Sequence, residues 1–159
     1  MLDLLAAGST VTDAVHEALA HDDQPELRQL GVLDDRGNVA HHTGSDVTPW
    51  SGAIARAGML ALGNLLAGPE VLVSMAAVAD PESLPADVDG VGMARRALDA
   101  LHAGQRAGGD RRGQQSASIL VVPLQGDHNA ARVLDLRADD DATPLEVLEA
   151  LLDSAAQGA

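Results

Sequence analysis

The sequence predicts an α+β protein built in layers, with antiparallel β-structure and helices packed against it. Three observations lead there. Short β-type runs come in pairs joined by turn signals, which makes hairpins and therefore antiparallel pairing. Four stretches carry apolar residues at helical spacing, and two of these fall together between the hairpins rather than alternating with strands, as a doubly wound fold would require. Neither a Rossmann fingerprint nor an internal repeat is present. All 159 residues fit one domain with a single core.

Taken in order, Leu2 to Leu5 reads as the tail of an apolar element that stops at Ala7-Gly8. Ser9 and Thr10 offer hydroxyls to the free N–H groups of a helix start, and Asp13 suits its positive end. Ala14, Val15, Ala18 and Leu19 carry that helix to about His21. Arg28 to Leu33 and Val39 to Thr43 are β-type runs flanking the turn signal D-D-R-G-N, the first hairpin. A loop with Trp50 leads to Gly58 to Leu66, a third strand interrupted by Asn64. Pro69 and Glu70 then open a helix, since proline lacks the N–H that a first helical turn leaves unbonded. The proline-rich stretch from Asp80 to Gly90 connects it to a second helix, Gly92 to Arg106. Ser116 to Val122 and Arg132 to Arg137 make the second hairpin across Q-G-D-H-N. Thr143-Pro144 opens a final amphipathic helix through Leu145, Leu148 and Leu152.

Composition narrows the function classes. Phe, Tyr and Cys are absent and Trp50 is the only aromatic residue, so Leu, Val and Ala must fill the core and cysteine chemistry is excluded. All ten basic residues are Arg, which excludes lysine Schiff bases, and the formal net charge is −14. Such a chain repels phosphates and offers bases no stacking platform, so no nucleic acid partner is expected. The first residues do not form a signal peptide and no apolar run reaches the roughly 20 residues of a membrane span, which predicts a cytoplasmic protein without membrane association. The Asp-rich acidity fits either a salt-rich cytoplasm, as in a halophile, or the codon bias of a GC-rich genome.

The most informative stretch runs from Ala103 to Val122, where a helix ends in glycines, a polar turn carries Asp110, Arg111 and Arg112, and an apolar strand follows. Glycines 108, 109 and 113 allow positive φ and a close approach of backbone to a bound group. A helix cap followed by a solvated loop explains the same pattern. Gly63 to Gly68 and Gly104 to Gly109 mimic phosphate loops, but neither is followed by the Lys-Ser/Thr pair that binds phosphate and magnesium. The six histidines lack metal-ligand spacing, His41 and His42 pointing to opposite faces of a strand, so neither a metal nor a cofactor is expected. Asp139 to Asp141 reads as a solvated run. What remains is Asn64 with Asp110, Arg111, Arg112, Gln115 and Ser116, a set suited to clamping a carboxylate or amide or, equally, to holding the loop's own shape.

R-Q-L-G-V-L-D-D-R-G-N-V-A at 28 to 40, T-G and P-W-S-G between 43 and 52, G-N-L-L-A-G-P-E-V at 63 to 71, A-G-Q-R-A-G-G-D-R-R-G-Q-Q-S-A at 103 to 117, and L-R-A-D-D with P-L-E-V-L between 136 and 148 together resemble an uncharacterised bacterial and archaeal family, domain of unknown function 1028. That family is assigned to the N-terminal nucleophile (Ntn) hydrolase superfamily. The resemblance implies an αββα sandwich, two stacked antiparallel sheets with helices outside. It also implies a complete form that hydrolyses an amide bond through a Thr, Ser or Cys at the chain's first position.

This sequence departs from that pattern. Relatives carry a Thr/Ser-containing strand ahead of the position of Leu2, so the resemblance implies an N-terminally truncated domain over residues 1–159. Met1-Leu2 exposes no nucleophile and Ser9 and Thr10 read as helix caps, so the catalytic residue is left unassigned. Asn64, Gly109, Asp110 and Arg111 are expected to border the substrate pocket, with Asn64 as an oxyanion donor and Arg111 as a carboxylate clamp, roles given by position alone. The expected partners are a small amide or peptide-like substrate and a second copy of the chain. The rival reading is a non-catalytic binding or assembly module whose sheet pairs with a partner.

Overall fold

Residues 1–124 and 133–157 are described by a computed structural model. They form an α+β fold of five α-helices and three two-stranded antiparallel sheets. The first helix, α1, is short (Leu2–Ala6), and α2 (Val11–Ala20) begins where the sequence places it, the Thr10 hydroxyl accepting the N–H of Asp13 at 3.1 Å. Strands β1 (Gln29–Leu33) and β2 (Val39–Thr43) form the expected hairpin, starting one residue later than Arg28, around the Asp34 to Asn38 turn, where the Asp34 carboxylate accepts the N–H groups of Arg36 and Asn38.

The expected third strand is half of a hairpin. β3 (Gly52–Arg56) pairs with β4 (Met59–Gly63) across Ala57-Gly58, whose glycine turns at φ +76, so Asn64 lies past the end of β4 instead of interrupting a strand. Helix α3 (Pro69–Val78) starts at the expected proline, and α4 (Gly90–Arg106) starts earlier than Gly92 because Asp89 caps it, accepting the Gly92 N–H at 2.7 Å. β5 (Ala117–Val121) and β6 (Leu134–Ala138) form the last hairpin, and α5 (Pro144–Gln157) closes the chain. The expected turn Q-G-D-H-N and the expected strand start at Arg132 lie outside the described residues.

Alternation along the strands sets the layers. Val32 of β1 is buried against Val11 and Val15 of α2, while its neighbour Gly31 faces the other way, where a Cβ would come within 2.5 Å of Leu60 and 2.8 Å of Leu62. On β4 the pattern repeats: Leu60 and Leu62 meet the first sheet, and Met59 and Ala61 are buried on Leu72 and Ala76 of α3. The order is therefore α2, first sheet, second sheet, α3. β5 and β6 pack one face on α4 and α5 through Leu98, Ile119, Leu148 and Leu152, the largest aliphatic cluster of the core. α3 and α4 touch closely at Gly104, where a Cβ would fall 2.7 Å from the Met75 side chain. Among the described residues no helix is long and apolar enough to cross a membrane.

Candidate functional site

The glycine turn after α4 is built by contact. Gly108 and Gly109 have φ of +118 and +57, and the Gly109 N–H returns to the Gly104 carbonyl at 3.0 Å, closing the helix end. A Cβ at 108 would lie 2.6 Å from that of Ala67, so this position requires glycine for space as well as for conformation, whereas one at 109 would meet only the movable tip of Gln105 and glycine is favoured there by the positive φ. The turn thereby lies against the segment that follows β4. The Ala67 N–H donates to the Gly109 carbonyl and the Arg111 N–H to the Leu65 carbonyl, each at 2.9 Å, around an antiparallel bridge between Leu66 and Asp110. Leu65 takes a left-handed φ of 56 at this crossing, a conformation that costs a Cβ-bearing residue about 1–2 kcal/mol and that tight surroundings must enforce.

The charges sort themselves unequally. The Asp110 carboxylate accepts from Arg112 three times, from the backbone N–H at 2.8 Å, from Nε at 2.9 Å and from Nη2 at 2.6 Å. The Arg112 guanidinium above all, then that backbone N–H, holds the Asp110 carboxyl down to about 2 despite its partial desolvation. Arg111 adds only a weaker field, and among the described residues its exposed guanidinium has no side-chain partner. Asp110 therefore pairs with one flanking arginine, not two.

Asn64 is exposed and its amide nitrogen donates to Gln29 Oε1 at 3.1 Å. Gln29 in turn reaches Thr43 Oγ1 and the carbonyls of Gly52 and Gly63, tying the two stacked sheets together at one end. Gln115 and Ser116 both turn to Asp140, the first donating to its carboxylate and the second accepting its N–H. Asp141 accepts the Thr143 N–H at 2.7 Å just ahead of α5, so part of the acidic run serves as a turn rather than as solvated surface.

Beside the bridge opens a groove of about 560 Å³. Its floor is Leu72 and Met75 of α3 with Leu101 of α4, one wall is Leu62 and Leu66, and the other is the chain from Arg112 to Ser118. Of the four residues expected to border a pocket, Gly109 and Asp110 line this groove; Asn64 and Arg111 are not among its lining residues, although Arg111 sits in sequence between two of them, Asp110 and Arg112. The residue that sequence reasoning passed over is Gln114, whose Oε1 is buried in the groove wall without a hydrogen-bond partner. An acceptor left in that state costs about 1–3 kcal/mol. Only the Gln-Gln pair within the loop hinted at it.

Among the described residues no hydroxyl is hydrogen-bonded to a histidine, and no three His, Asp or Glu side chains form a metal-binding group. The groove combines an amide oxygen without a partner among the described residues with an apolar floor, and the exposed Arg111 guanidinium lies next in sequence to its lining residues.

A family model described as "Family of unknown function (DUF1028)" matches residues 1–148. The chain is also similar to the crystal structure of protein SPO2555 from Silicibacter pomeroyi, which carries the same family model, with a TM-score of 0.79 and 31% identity over 97% of this chain. It spans 64% of the length of that protein. No curated protein matches the chain significantly.

Proposed function

The chain belongs to DUF1028, a family of unknown function, and on that premise we propose that it forms the substrate-binding wall of an Ntn-hydrolase-like fold whose complete form hydrolyses an amide bond. The observation that carries this reading is the Arg111 guanidinium, exposed and, among the described residues, without a side-chain partner, in sequence between the groove-lining residues Asp110 and Arg112, which pair with each other. A planar cation in that place suits the carboxylate of an N-acylated amino acid, which it would hold bidentately. The layer order of α2, two stacked sheets and α3 supports the sandwich that such a fold requires. On this reading the chain's own residues orient the substrate.

Titration calorimetry with N-acetyl amino acids and the corresponding uncharged amides tests it. The acids are expected to bind at least tenfold more tightly than the amides, and Arg111→Ala is expected to erase that difference, as loss of a charge-assisted hydrogen bond does. Equal binding of acids and amides, or acid binding unchanged in Arg111→Ala, refutes the clamp.

A further inference from the structure

The polar groups of the groove are unequally served. Asp110 is held by Arg112, Gln115 donates to Asp140 and Ser116 accepts the Asp140 N–H, so these lining residues already have partners. Gln114 differs from them. Among the described residues its Oε1 is the buried side-chain acceptor of the groove that no donor reaches, and the floor residues Leu72, Met75 and Leu101 carry no side-chain donor. The groove's volume of about 560 Å³ lies within the roughly 300–1,000 Å³ of small-molecule sites. The part of an occupant that lies inside must be uncharged, because the floor is apolar and the Asp110–Arg112 pair neutralises itself. The Arg111 guanidinium stands beside the lining and not in it, three residues ahead of Gln114. Three residues of chain span at most about 11 Å, so one small molecule can meet both.

We infer that the groove takes the acyl half of an N-acyl amino acid, a linear aliphatic chain lying on Leu72, Met75 and Leu101, with the ligand's amide N–H donated to Gln114 Oε1 and its carboxylate left outside at Arg111. In such a molecule the carboxylate, the N–H and the aliphatic chain follow one another in that order. The amino acid side chain branches beside the carboxylate and stays off the floor. Gln114 is thus the residue that selects a secondary amide, and the floor selects an aliphatic acyl group over a polar one. This inference deepens the amide reading given above and rests on it for the carboxylate half alone.

Titration calorimetry of the purified chain with acetyl-, butyryl- and hexanoylglycine, and with the glycinamide of each, tests the acyl site. Affinity is expected to rise about twofold to fourfold per methylene in both series, the upper figure being that of a fully buried methylene. Hexanoylsarcosine, in which a methyl replaces the amide hydrogen, is expected to bind the wild type about five- to tenfold more weakly than hexanoylglycine. Gln114→Leu is expected to bind the two within about twofold of each other, with thermal unfolding unchanged or raised, so that the loss belongs to the hydrogen bond and not to the fold. Arg111→Ala is expected to keep the rise with chain length and the sarcosine penalty while losing the preference for acids. Affinity that ignores acyl length, affinity that rises instead with the side chain across acetylglycine, acetylalanine and acetylleucine, or a sarcosine penalty of equal size in wild type and Gln114→Leu overturns the acyl site. Acids and amides that bind alike while both groove effects persist refute the carboxylate clamp and leave the acyl site standing.

Discussion

Replacing Asp110 with Asn removes the negative charge from the acceptor that shapes the central loop, and its cost depends on pH in a direction that the structure fixes. The carboxyl titrates at about 2 in the folded chain against 3.8 for an unperturbed aspartate, a difference that would be worth roughly 2.5 kcal/mol if folding realised all of it. It does not realise all of it, because the Arg112 side chain is 68% exposed and solvent-exposed ion pairs contribute at most about 1 kcal/mol. The expected loss for Asp110→Asn near neutral pH is therefore about 1 kcal/mol. Since the folded state depresses this pKa, the stabilisation is fully present above about 3.8 and disappears as the pH falls through about 2. Urea unfolding followed by far-UV circular dichroism measures both chains across that window. The wild type should lose its advantage between about pH 4 and pH 2, and molar salt should shrink the advantage at neutral pH. A stability difference that stays constant through this window would show that the substitution acts on loop geometry and not through the charge.

Three further substitutions probe how the site is held in place. Gln29→Leu leaves the Gly52 and Gly63 carbonyls and the Asn64 amide without their partner, and it should cost about 2 kcal/mol in urea unfolding; a loss below about 0.5 kcal/mol would mean that water replaces the amide at no cost. Gly108→Ala combines a φ of +118 with a methyl placed 2.6 Å from the Ala67 Cβ, so it should cost more than Gly113→Ala, where φ is +90 but nothing lies within 4 Å. About 2–3 kcal/mol against about 1 kcal/mol is expected from thermal unfolding, and equal losses would place the strain in the backbone alone.

Much of the fold can be read from the sequence because its signals are local. Thr10, Pro69 and Pro144 mark helix starts through the unbonded N–H groups of a first turn, and D-D-R-G-N folds on its own Asp34 carboxylate. β3 escapes notice for an equally local reason. Gly52, Ala53 and Ala55 are weak strand formers, and Ala57-Gly58 is not one of the dipeptides that announce a tight hairpin. What makes it a strand is tertiary, namely pairing with β4 and burial of Ile54 and Trp50 beside α3. The stacking of the two sheets is likewise invisible in periodicity, since the contact that permits it is the missing side chain of Gly31 beneath Leu60 and Leu62.

The site divides along the same line. Glycines 108 and 109 advertise a turn close to other chain, and at 108 the structure supplies the neighbour, the Ala67 Cβ, that forbids a Cβ. Which arginine serves Asp110 is not written in D-R-R. Residue 112 is the one whose own N–H already donates to Asp110 Oδ1, and that backbone bond brings its side chain back onto the same carboxylate. Arg111 has its N–H committed to Leu65 across the bridge, and its side chain is left exposed. The backbone pairing of one residue thus decides the charge pairing of the next. Shifting the bridge by a single residue would exchange the two roles.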